Sequence, residues 1–253
     1  MLSTRVIPCL LLREGGIVKT KRFRNPRYIG DPINVVKILN EKEVDELIFL
    51  DIDASPDRKE PDYELIKTIT NECFMPFSYG GGIKTIEQAG KLFNLGVEKV
   101  IIGSSIIYSR NLISEIANQY GSQSVVATIN IKRDLFNRAR LYNPANRKSL
   151  NVDLCGFCEL LVSAGAGEIF LNFVDRDGMR SGYDREIISL LSRIVSVPIT
   201  VCGGAGCLED MQIAVKEFGA SAVAAGSLFV YHGKRDAVLV NYPDYSTLLE
   251  LFK

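Results

Sequence analysis

The sequence predicts a single (β/α)8 barrel that occupies residues 1–253. Two observations lead to this fold class. Apolar, β-branched segments alternate eight times with helical patterns, and no charged linker interrupts the alternation. The length of 253 residues and the hydrophobic content of 47% suit one barrel domain with a full core. Eight such units favour a closed parallel barrel over an open sheet.

Each predicted strand is a short apolar run, and each predicted helix repeats its apolar residues with a period of about 3.6. The strands are expected at 5–12, 46–53, 75–79, 99–103, 124–132, 168–174, 198–202 and 222–226. The helices are expected at 32–43, 62–73, 86–95, 111–120, 152–164, 184–195, 208–218 and 245–252.

The two halves of the chain resemble each other, which predicts a duplicated half-barrel. Gly81-Gly82 recurs as Gly203-Gly204, and Gly103-Ser104 recurs as Gly226-Ser227. These glycines follow apolar strands and precede helices, where backbone N–H groups can approach an anion. We therefore expect two phosphate sites, although a glycine in a strand-to-helix turn also has a purely structural explanation.

The composition excludes several classes of partner. Lys and Arg total 30 and balance 30 acidic residues, so nothing global directs the protein toward nucleic acid or a membrane. The apolar run at 6–12 is too short for a signal peptide or a membrane span, so we expect a cytoplasmic protein. The 6 scattered cysteines fit reduced thiols, and Cys155-Gly-Phe-Cys158 falls in a helical pattern. With His232 as the single histidine, no metal and no cofactor are expected.

Several stretches carry a family resemblance: Arg5-Val-Ile-Pro-Cys-Leu10, Gly80-Gly-Gly-Ile83, Asp175-Arg-Asp-Gly178 and Gly203-Gly-Ala-Gly206. Over nearly its whole length the chain resembles the cyclase subunit of imidazole glycerol phosphate synthase, the HisF family. That resemblance implies a barrel that joins ammonia to a ribulose derivative carrying a phosphate at each end, with release of a carboxamide byproduct. It implies that one phosphate lies at Gly82 and Ser104, and the other at Gly178, Gly204, Gly226 and Ser227.

Two positions depart from this resemblance. The family's general acid and base are aspartates at the end of strand 1 and on strand 5, and here these positions hold Leu11 and Asn130. Neither side chain exchanges a proton near neutral pH. A positioned general acid or base typically raises the reaction rate by roughly 10²- to 10⁴-fold. We therefore expect that cyclase activity is lost and assign no catalytic residue. Candidates for a rerouted mechanism are Lys19, Asp51 and Asp177, and the pocket also differs at Gly103, Asn172 and Cys202.

The opposite end of the barrel keeps the features that the resemblance implies. In the family, four charged residues surround the entry through which ammonia arrives from a glutaminase subunit. Their counterparts here are Arg5, Glu46, Lys99 and Glu168, which start strands 1, 2, 4 and 6. The alternative is that these charges only stabilise the bottom of the barrel through ion pairs.

Some paralogues of this family occur in bacterial surface-sugar and flagellin-glycan pathways, including lipopolysaccharide synthesis. There they work beside a glutaminase and an amidotransferase that converts an acetamido group into an acetamidino group. The chain resembles that branch at 7–12, 30–34 and 224–229. We therefore expect a barrel that passes ammonia from a glutaminase to a sugar amidotransferase. Two alternatives remain, a true cyclase of histidine biosynthesis and a non-catalytic scaffold.

Two basic segments have no assigned role. Segment 19–24 is expected to be a loop after strand 1, either a solvated charged loop or a lid over an anionic substrate. An extended segment after strand 5 carries Arg133, Arg138, Arg140 and Arg147. Its arginines would bind either an anionic ligand or a partner protein, and the sequence does not decide between them. His232 is expected in a surface loop.

Overall fold

A computed structural model describes residues 4–56, 59–233 and 235–253. The strands in these ranges are β1 (Arg5–Arg13), β2 (Gly16–Lys21), β3 (Arg24–Gly30), β4 (Leu47–Asp51), β5 (Phe77–Gly80), β6 (Lys99–Ile102), β7 (Val125–Arg133), β8 (Ala139–Asn143), β9 (Lys148–Leu150), β10 (Glu168–Phe173), β11 (Ile199–Cys202), β12 (Ala222–Ala225), β13 (Tyr231–His232) and β14 (Ala237–Val238). The α-helices are α1 (Pro32–Glu41), α2 (Tyr63–Glu72), α3 (Ile86–Asn94), α4 (Asn111–Tyr120), α5 (Leu154–Ser163), α6 (Arg185–Leu191), α7 (Leu208–Lys216), α8 (Ser227–Val230) and α9 (Tyr245–Phe252).

Eight of these strands form a closed parallel barrel, which confirms the predicted fold class. In order around the barrel they are β1, β4, β5, β6, β7, β10, β11 and β12. The sheet closes because β7 pairs with β10 and β12 pairs with β1, both in parallel. Parallel neighbours need a long connection, and a helix supplies it between successive barrel strands.

The predicted strands and helices are present in the described ranges, and only their ends differ. The strand expected at 46–53 is shorter in the structure, Leu47–Asp51, and the helix expected at 184–195 ends at Leu191. Several helices begin where an aspartate caps the first turn: Asp31 accepts a hydrogen bond from Asn34 N at 3.0 Å. Such a cap stabilises a helix by about 1 kcal/mol. These caps set the point at which each loop of the C-terminal face ends.

The segment at 19–24, which the sequence places in a loop, is part of a β-hairpin, so that prediction is wrong, and the extended arginine-rich segment after β7 forms a second hairpin. Segment 19–24 belongs to the β2–β3 hairpin, and Val18 on β2 pairs with Leu11 on β1. The arginine-rich segment contains β8 and β9, with Leu141 on β8 paired to Ile131 on β7. Both hairpins extend a barrel strand beyond the barrel. Their mixed charged and apolar residues obscure the strand pattern, because only part of each hairpin is buried.

The core has two parts. The larger part lies between the barrel and the helices around it, and Val36, Leu39 and Leu92 are among its fully buried residues. The smaller part fills the barrel interior with Ile7, Cys9, Ile48, Ile101, Val126, Phe170, Cys202, Ala222 and Ala224. Burying a side chain as large as Phe170 contributes about 1.5–3 kcal/mol. The interior is therefore a packed core that ends at a polar site on each side.

The remaining cysteine and histidine predictions have mixed outcomes. Cys155 and Cys158 lie in α5, as the helical pattern predicts, and all cysteines are free thiols. Burial raises the pKa of Cys158 to about 12, so this thiol stays protonated at neutral pH. His232 is exposed, but it lies in the short strand β13 rather than in a loop. Within the described ranges no helix is long and apolar enough to cross a membrane.

Candidate functional site

A cavity of about 750 Å³ opens at the C-terminal end of the barrel. Its walls come from the strand ends and the loops after them, where barrel folds carry their functional sites. Among the residues that line it are Leu11, Lys19, Asp51, Gly82, Ser104, Asn130, Asp177, Gly178, Gly204, Gly226 and Ser227. The structure therefore brings the predicted phosphate residues and catalytic candidates together in one cavity.

The floor of the cavity is uncharged. Leu11 on β1 lies opposite Leu50 on β4, and Asn130 on β7 is the register partner of Asn172 on β10. Cys202 on β11 continues this row next to Asn172. Asn130 and Asn172 are each 7% exposed. In the part of the chain that the structure describes, neither carboxamide makes a hydrogen bond.

Lys19 and Asp177 form a buried ion pair at the side of the cavity. Asp177 also accepts hydrogen bonds from Thr20 Oγ1 at 2.6 Å and from Phe23 N at 3.1 Å, and Lys19 Nζ donates to Thr20 O at 3.0 Å. These contacts fasten the β2–β3 hairpin to the loop after β10. Both charges are therefore satisfied within the protein, so neither is a free acid or base.

Asp51 is the third catalytic candidate and lies at the end of β4. Burial raises its pKa, while hydrogen bonds from Ala54 N and Asp53 N, both 3.0 Å long, act in the opposite direction. Tyr79 Oη donates to the second carboxylate oxygen at 3.4 Å. Asp51 therefore caps the turn that follows β4. This structural task accounts for most of its contacts.

The glycines of the two predicted phosphate sites are required by close packing between loops. Gly82 has φ of +73°, and a Cβ there would lie 2.8 Å from Lys59 O. Gly204 has φ of +125°, and a Cβ there would overlap Gly182 O. An L-residue at either position would be strained and would clash with backbone. The structural explanation for these glycines is therefore sufficient, and their phosphate role stays a prediction.

Arg5, Glu46, Lys99 and Glu168 form a closed ring of ion pairs at the opposite, N-terminal end of the barrel, referred to below as the charged ring. Arg5 contacts Glu46 at 2.5 Å and Glu168 at 3.1 Å. Lys99 Nζ contacts the same two carboxylates, each at 3.1 Å. Every charge thus has two partners of opposite sign, and the ring as a whole is neutral.

The two carboxylates of the charged ring are deeply buried, with side chains 4% exposed for Glu46 and 9% for Glu168. Burial alone would raise the pKa of Glu168, but Lys99, Arg5 and the Thr200 hydroxyl outweigh it and lower the pKa below its usual value. Ser78 Oγ supports Glu46 with a hydrogen bond of 2.8 Å. Glu168 is therefore held as a carboxylate at neutral pH, and each charge of the ring is paired.

Comparisons with known proteins agree with this architecture. A family model described as "Histidine biosynthesis protein" matches residues 5–236. The chain is 37% identical over 232 residues to "Imidazole glycerol phosphate synthase subunit HisF" of Alkaliphilus metalliredigens, with 92% of each chain covered. It belongs to the HisF family.

Two more similar relatives carry provisional names. One is the "Putative imidazole glycerol phosphate synthase subunit hisF2" of Pseudomonas aeruginosa, 49% identical over 248 residues, which cover 98% of this chain and 99% of the relative. The other is a subunit HisF of Leptospira interrogans with the same qualifier in its name, 47% identical over 253 residues and the full length of both chains. The likeness of this HisF-family chain to these relatives therefore extends over the entire barrel.

The sequence alone missed several residues that surround the mouth of this HisF-family cavity. Phe23 at the tip of the β2–β3 hairpin packs against Tyr142 on β8, with ring centroids 6.2 Å apart, and Lys132 Nζ lies 5.3 Å from the centroid of the same Tyr142 ring. Arg24 and Arg147, which belong to the two basic segments noted in the sequence, also line the cavity. The two hairpins thus meet over the mouth. A clue in the sequence is the alternation of aromatic and basic residues in both hairpins.

The structure does not bring the titratable residues together as a metal site. Within the described ranges there is no group of three or more His, Cys, Asp or Glu side chains placed to hold a metal ion. Cys9 and Cys202 lie together at the floor, and the pKa of the Cys9 thiol is raised by its hydrogen bond with Cys202 and by burial. The Cys9 thiol is therefore protonated at neutral pH.

Proposed function

We propose that this chain is the ammonia-relaying barrel of a glutamine-dependent complex that forms an acetamidino sugar for surface polysaccharide, lipopolysaccharide or flagellin glycan. The single observation that carries the proposal is the pair Leu11 and Asn130 on the cavity floor, where the resemblance places two catalytic aspartates. Both side chains line the cavity and neither is ionisable. The charged ring at the other end is complete.

Cyclisation requires groups that give and take protons on opposite sides of the substrate. The floor of the cavity offers no such group, because Asn130 and Asn172 are carboxamides and the Cys9 thiol has a raised pKa. Lys19 and Asp177 neutralise each other at one side. The chemistry of this floor therefore favours a barrel that delivers ammonia over one that consumes it.

A relay through the barrel fits the arrangement of its interior. The charged ring is the entry for ammonia from a HisH-like glutaminase, which would sit on the N-terminal face. Above the ring the barrel is lined by apolar side chains such as Ile7, Ile48 and Phe170. An apolar lining excludes the ammonium cation and accepts neutral ammonia. Ammonia that leaves at the cavity meets no free carboxylate on the floor, and a sugar amidotransferase at the C-terminal face would receive it.

A phosphorylated small molecule or phosphate is part of the proposal. Gly82 and Ser104 would hold one phosphate group, and Gly178, Gly204, Gly226 and Ser227 would hold another. Support comes from their common position on the cavity wall. Crystals soaked in phosphate test this role. Electron density for an anion within hydrogen-bonding distance of these residues would support the phosphate role. The absence of anion density from both positions would refute it.

A second candidate function is a true cyclase that has moved its proton chemistry. It is favoured by the raised pKa of Asp51 and by the position of Asp177 on the cavity wall. A third is a scaffold in which the charged ring is only structural. Both candidates use the same fold, so only activity separates them from the relay.

The first experiment measures cyclase activity of the unmodified protein with the ribulosyl substrate and excess ammonium salt. We expect no more imidazole glycerol phosphate than in a buffer control, and rapid product formation would establish the cyclase instead. Leu11→Asp combined with Asn130→Asp is expected to restore only weak activity, because Gly103, Asn172 and Cys202 also shape the pocket.

The second experiment reconstitutes the barrel with a glutaminase and a sugar amidotransferase. Lys99→Met should lower glutamine-dependent amidination by about tenfold or more, since the relay supplies a high local concentration of ammonia. Amidination driven by added ammonia should be unchanged, and the exposed helix variant Lys67→Met should affect neither. Equal amidination from glutamine without the barrel would exclude the relay and leave the scaffold.

A further inference from the structure

Two asparagines lie side by side on the cavity floor without partners. Asn130 and Asn172 are cross-strand neighbours on β7 and β10, and each is only 7% exposed. Both line the cavity, and neither carboxamide is hydrogen-bonded within the described ranges. Among the described residues, the side-chain atom that is both sealed from solvent and without a hydrogen-bond partner is Tyr63 Oη, so the Asn130 and Asn172 carboxamides are accessible from the cavity. Both carboxamides are therefore free to form hydrogen bonds with a group that enters the cavity.

The chemistry of the floor restricts what that group can be. Cys202 lies next to Asn172, Leu11 lines the same cavity, and Thr128 Oγ1 is occupied by its hydrogen bond to Phe170 O at 3.2 Å. No cation or anion contacts either carboxamide in the part of the chain that the structure describes. A charged group placed there would lose its hydration without gaining an ionic partner. A carboxamide both donates and accepts hydrogen bonds, so it suits an uncharged hydroxyl or acylamino group.

The rim of the same cavity is basic. Arg147 lines the cavity, and its guanidinium makes no ion pair or hydrogen bond with the residues that the structure describes. Its backbone is held in the left-handed region, with φ of +58°. Asn143 Nδ2 and Asn146 Nδ2 both donate to Tyr108 Oη, at 3.1 and 3.4 Å, which fixes the hairpin tip that carries Arg147. A free guanidinium held in this way suits a phosphate group.

We propose that Asn130 and Asn172 bind an uncharged hydroxyl or acylamino group of a sugar phosphate whose phosphate contacts Arg147. The proposal rests on the proposed function, because it requires a cavity that binds a ligand without cyclising it. It also decides between the two roles that the sequence leaves open for the arginine-rich segment. Arg133 pairs with Asp184 and Glu186, and Arg138 and Arg140 pair with Asp134. Arg147 is the member of that segment that faces the cavity.

Isothermal titration of the full chain tests the proposal with three probes: inorganic phosphate, glucose 6-phosphate and N-acetylglucosamine 6-phosphate. At least one sugar phosphate should bind about tenfold or more tightly than inorganic phosphate, since one or two additional hydrogen bonds contribute the corresponding binding free energy. Preference for the first sugar identifies a hydroxyl as the bound group, and preference for the second identifies an acylamino group. Equal affinity for all three probes, or no binding of either sugar phosphate, would overturn the proposal.

Variants distinguish the contribution of the cavity floor to binding from the contribution of its rim. Asn130→Leu and Asn172→Leu should each weaken the sugar phosphate by about tenfold and leave inorganic phosphate unchanged. The exposed α4 variant Asn118→Leu is the matched control and should change nothing. Asn130→Ala, which removes the carboxamide without adding bulk or charge, is used if the leucine variant does not fold, and the same loss is expected.

Arg147→Gln should weaken both sugar phosphates, whereas Lys148→Gln, at the adjacent residue that does not line the cavity, should not. Equal weakening of all probes by the asparagine variants would contradict a specific role for the floor. This experiment needs no glutaminase. A relay that fails in reconstitution therefore leaves the binding result standing, and absent binding leaves the relay standing.

Discussion

The two ends of the barrel differ in how their buried polar groups are satisfied. At the N-terminal end, Glu46 and Glu168 each contact both cations of the charged ring, and Ser78 and Thr200 add hydrogen bonds. At the C-terminal end, the Asn130 and Asn172 carboxamides have no such partners in the described structure. The charged ring is satisfied by its own side chains and by neighbouring hydroxyls, whereas the floor carboxamides are open to the cavity. The polar groups of one end are therefore paired within the protein, and those of the other end are available to a ligand.

The largest effect is expected from breaking the charged ring. Lys99→Met removes one of the two cations and leaves two buried carboxylates with only Arg5. Removal of one partner from a buried charge network costs about 3 kcal/mol. The free energy of unfolding, measured with urea, should fall by that amount, while the exposed control Lys67→Met should stay within about 0.5 kcal/mol of the wild type. An unchanged value for Lys99→Met would mean that the ring is as weakly coupled as surface ion pairs.

The next effect comes from placing a charge on the floor. Asn130→Asp introduces a buried carboxyl group that has no cation in contact with it. Burial disfavours the ionised form, so the cost grows as pH rises above about 4, the usual pKa of an aspartate. We expect a loss of about 2 kcal/mol at pH 8 and nearly none at pH 4. Thermal unfolding across this range checks the slope, with Asn118→Asp as the exposed control. A loss that is independent of pH would point to packing instead.

The charged ring should show the opposite dependence on pH. The pKa of Glu168 is lowered in the folded state despite its burial, because Lys99 and Arg5 favour the carboxylate. A lowered pKa contributes stability that is present above the pKa of the unfolded chain, about 4.3, and is lost as pH falls through the folded value. Unfolding free energy should therefore drop below about pH 4.3. Glu168→Gln should flatten this acid dependence, and an identical slope in the variant would assign the acid sensitivity to other carboxylates.

The smallest effect is expected from the hydroxyl that supports the ring. Thr200 is fully buried and donates its hydroxyl hydrogen bond to Glu168. Thr200→Val keeps the shape of the side chain and removes this bond, at a cost of about 1 kcal/mol. Urea unfolding measures the loss. The same substitution at Thr68, an exposed residue of α2, is the control and should have little effect. If Thr200→Val lowered the free energy of unfolding as much as Lys99→Met, the Thr200 hydrogen bond would contribute as much to the stability of the ring as its ion pairs.

Much of the fold could be predicted from the sequence because barrel strands and helices carry local periodic patterns. The strand expected at 168–174 is β10, Glu168–Phe173, a run whose residues are all buried. Neighbouring residues along the chain carry the information in such a run. The members of the charged ring were identified through the family resemblance, and their positions at or just before strand starts place them at one end of a parallel barrel.

The hairpins needed the tertiary structure. The sequence of β2 is typical of a charged loop, yet Lys19 and Thr20 are buried. Asp177, far away in the chain, forms an ion pair with Lys19 and accepts a hydrogen bond from Thr20. Likewise, the hairpin that carries Arg147 is hydrogen-bonded to Tyr108, which lies before α4 and far from it in the chain. No local pattern encodes such pairs.

By itself the sequence determined the (β/α)8 fold, the residues of the charged ring and the absence of ionisable side chains at positions 11 and 130. The tertiary structure alone decided that Asn130 and Asn172 are neighbours, because their contact depends on the register between β7 and β10. It also decided that Lys19 and Asp177 are engaged with each other. Both findings have the same physical reason. The sequence specifies each side chain, but the neighbours of a buried polar side chain depend on which strands and loops the closed barrel brings together.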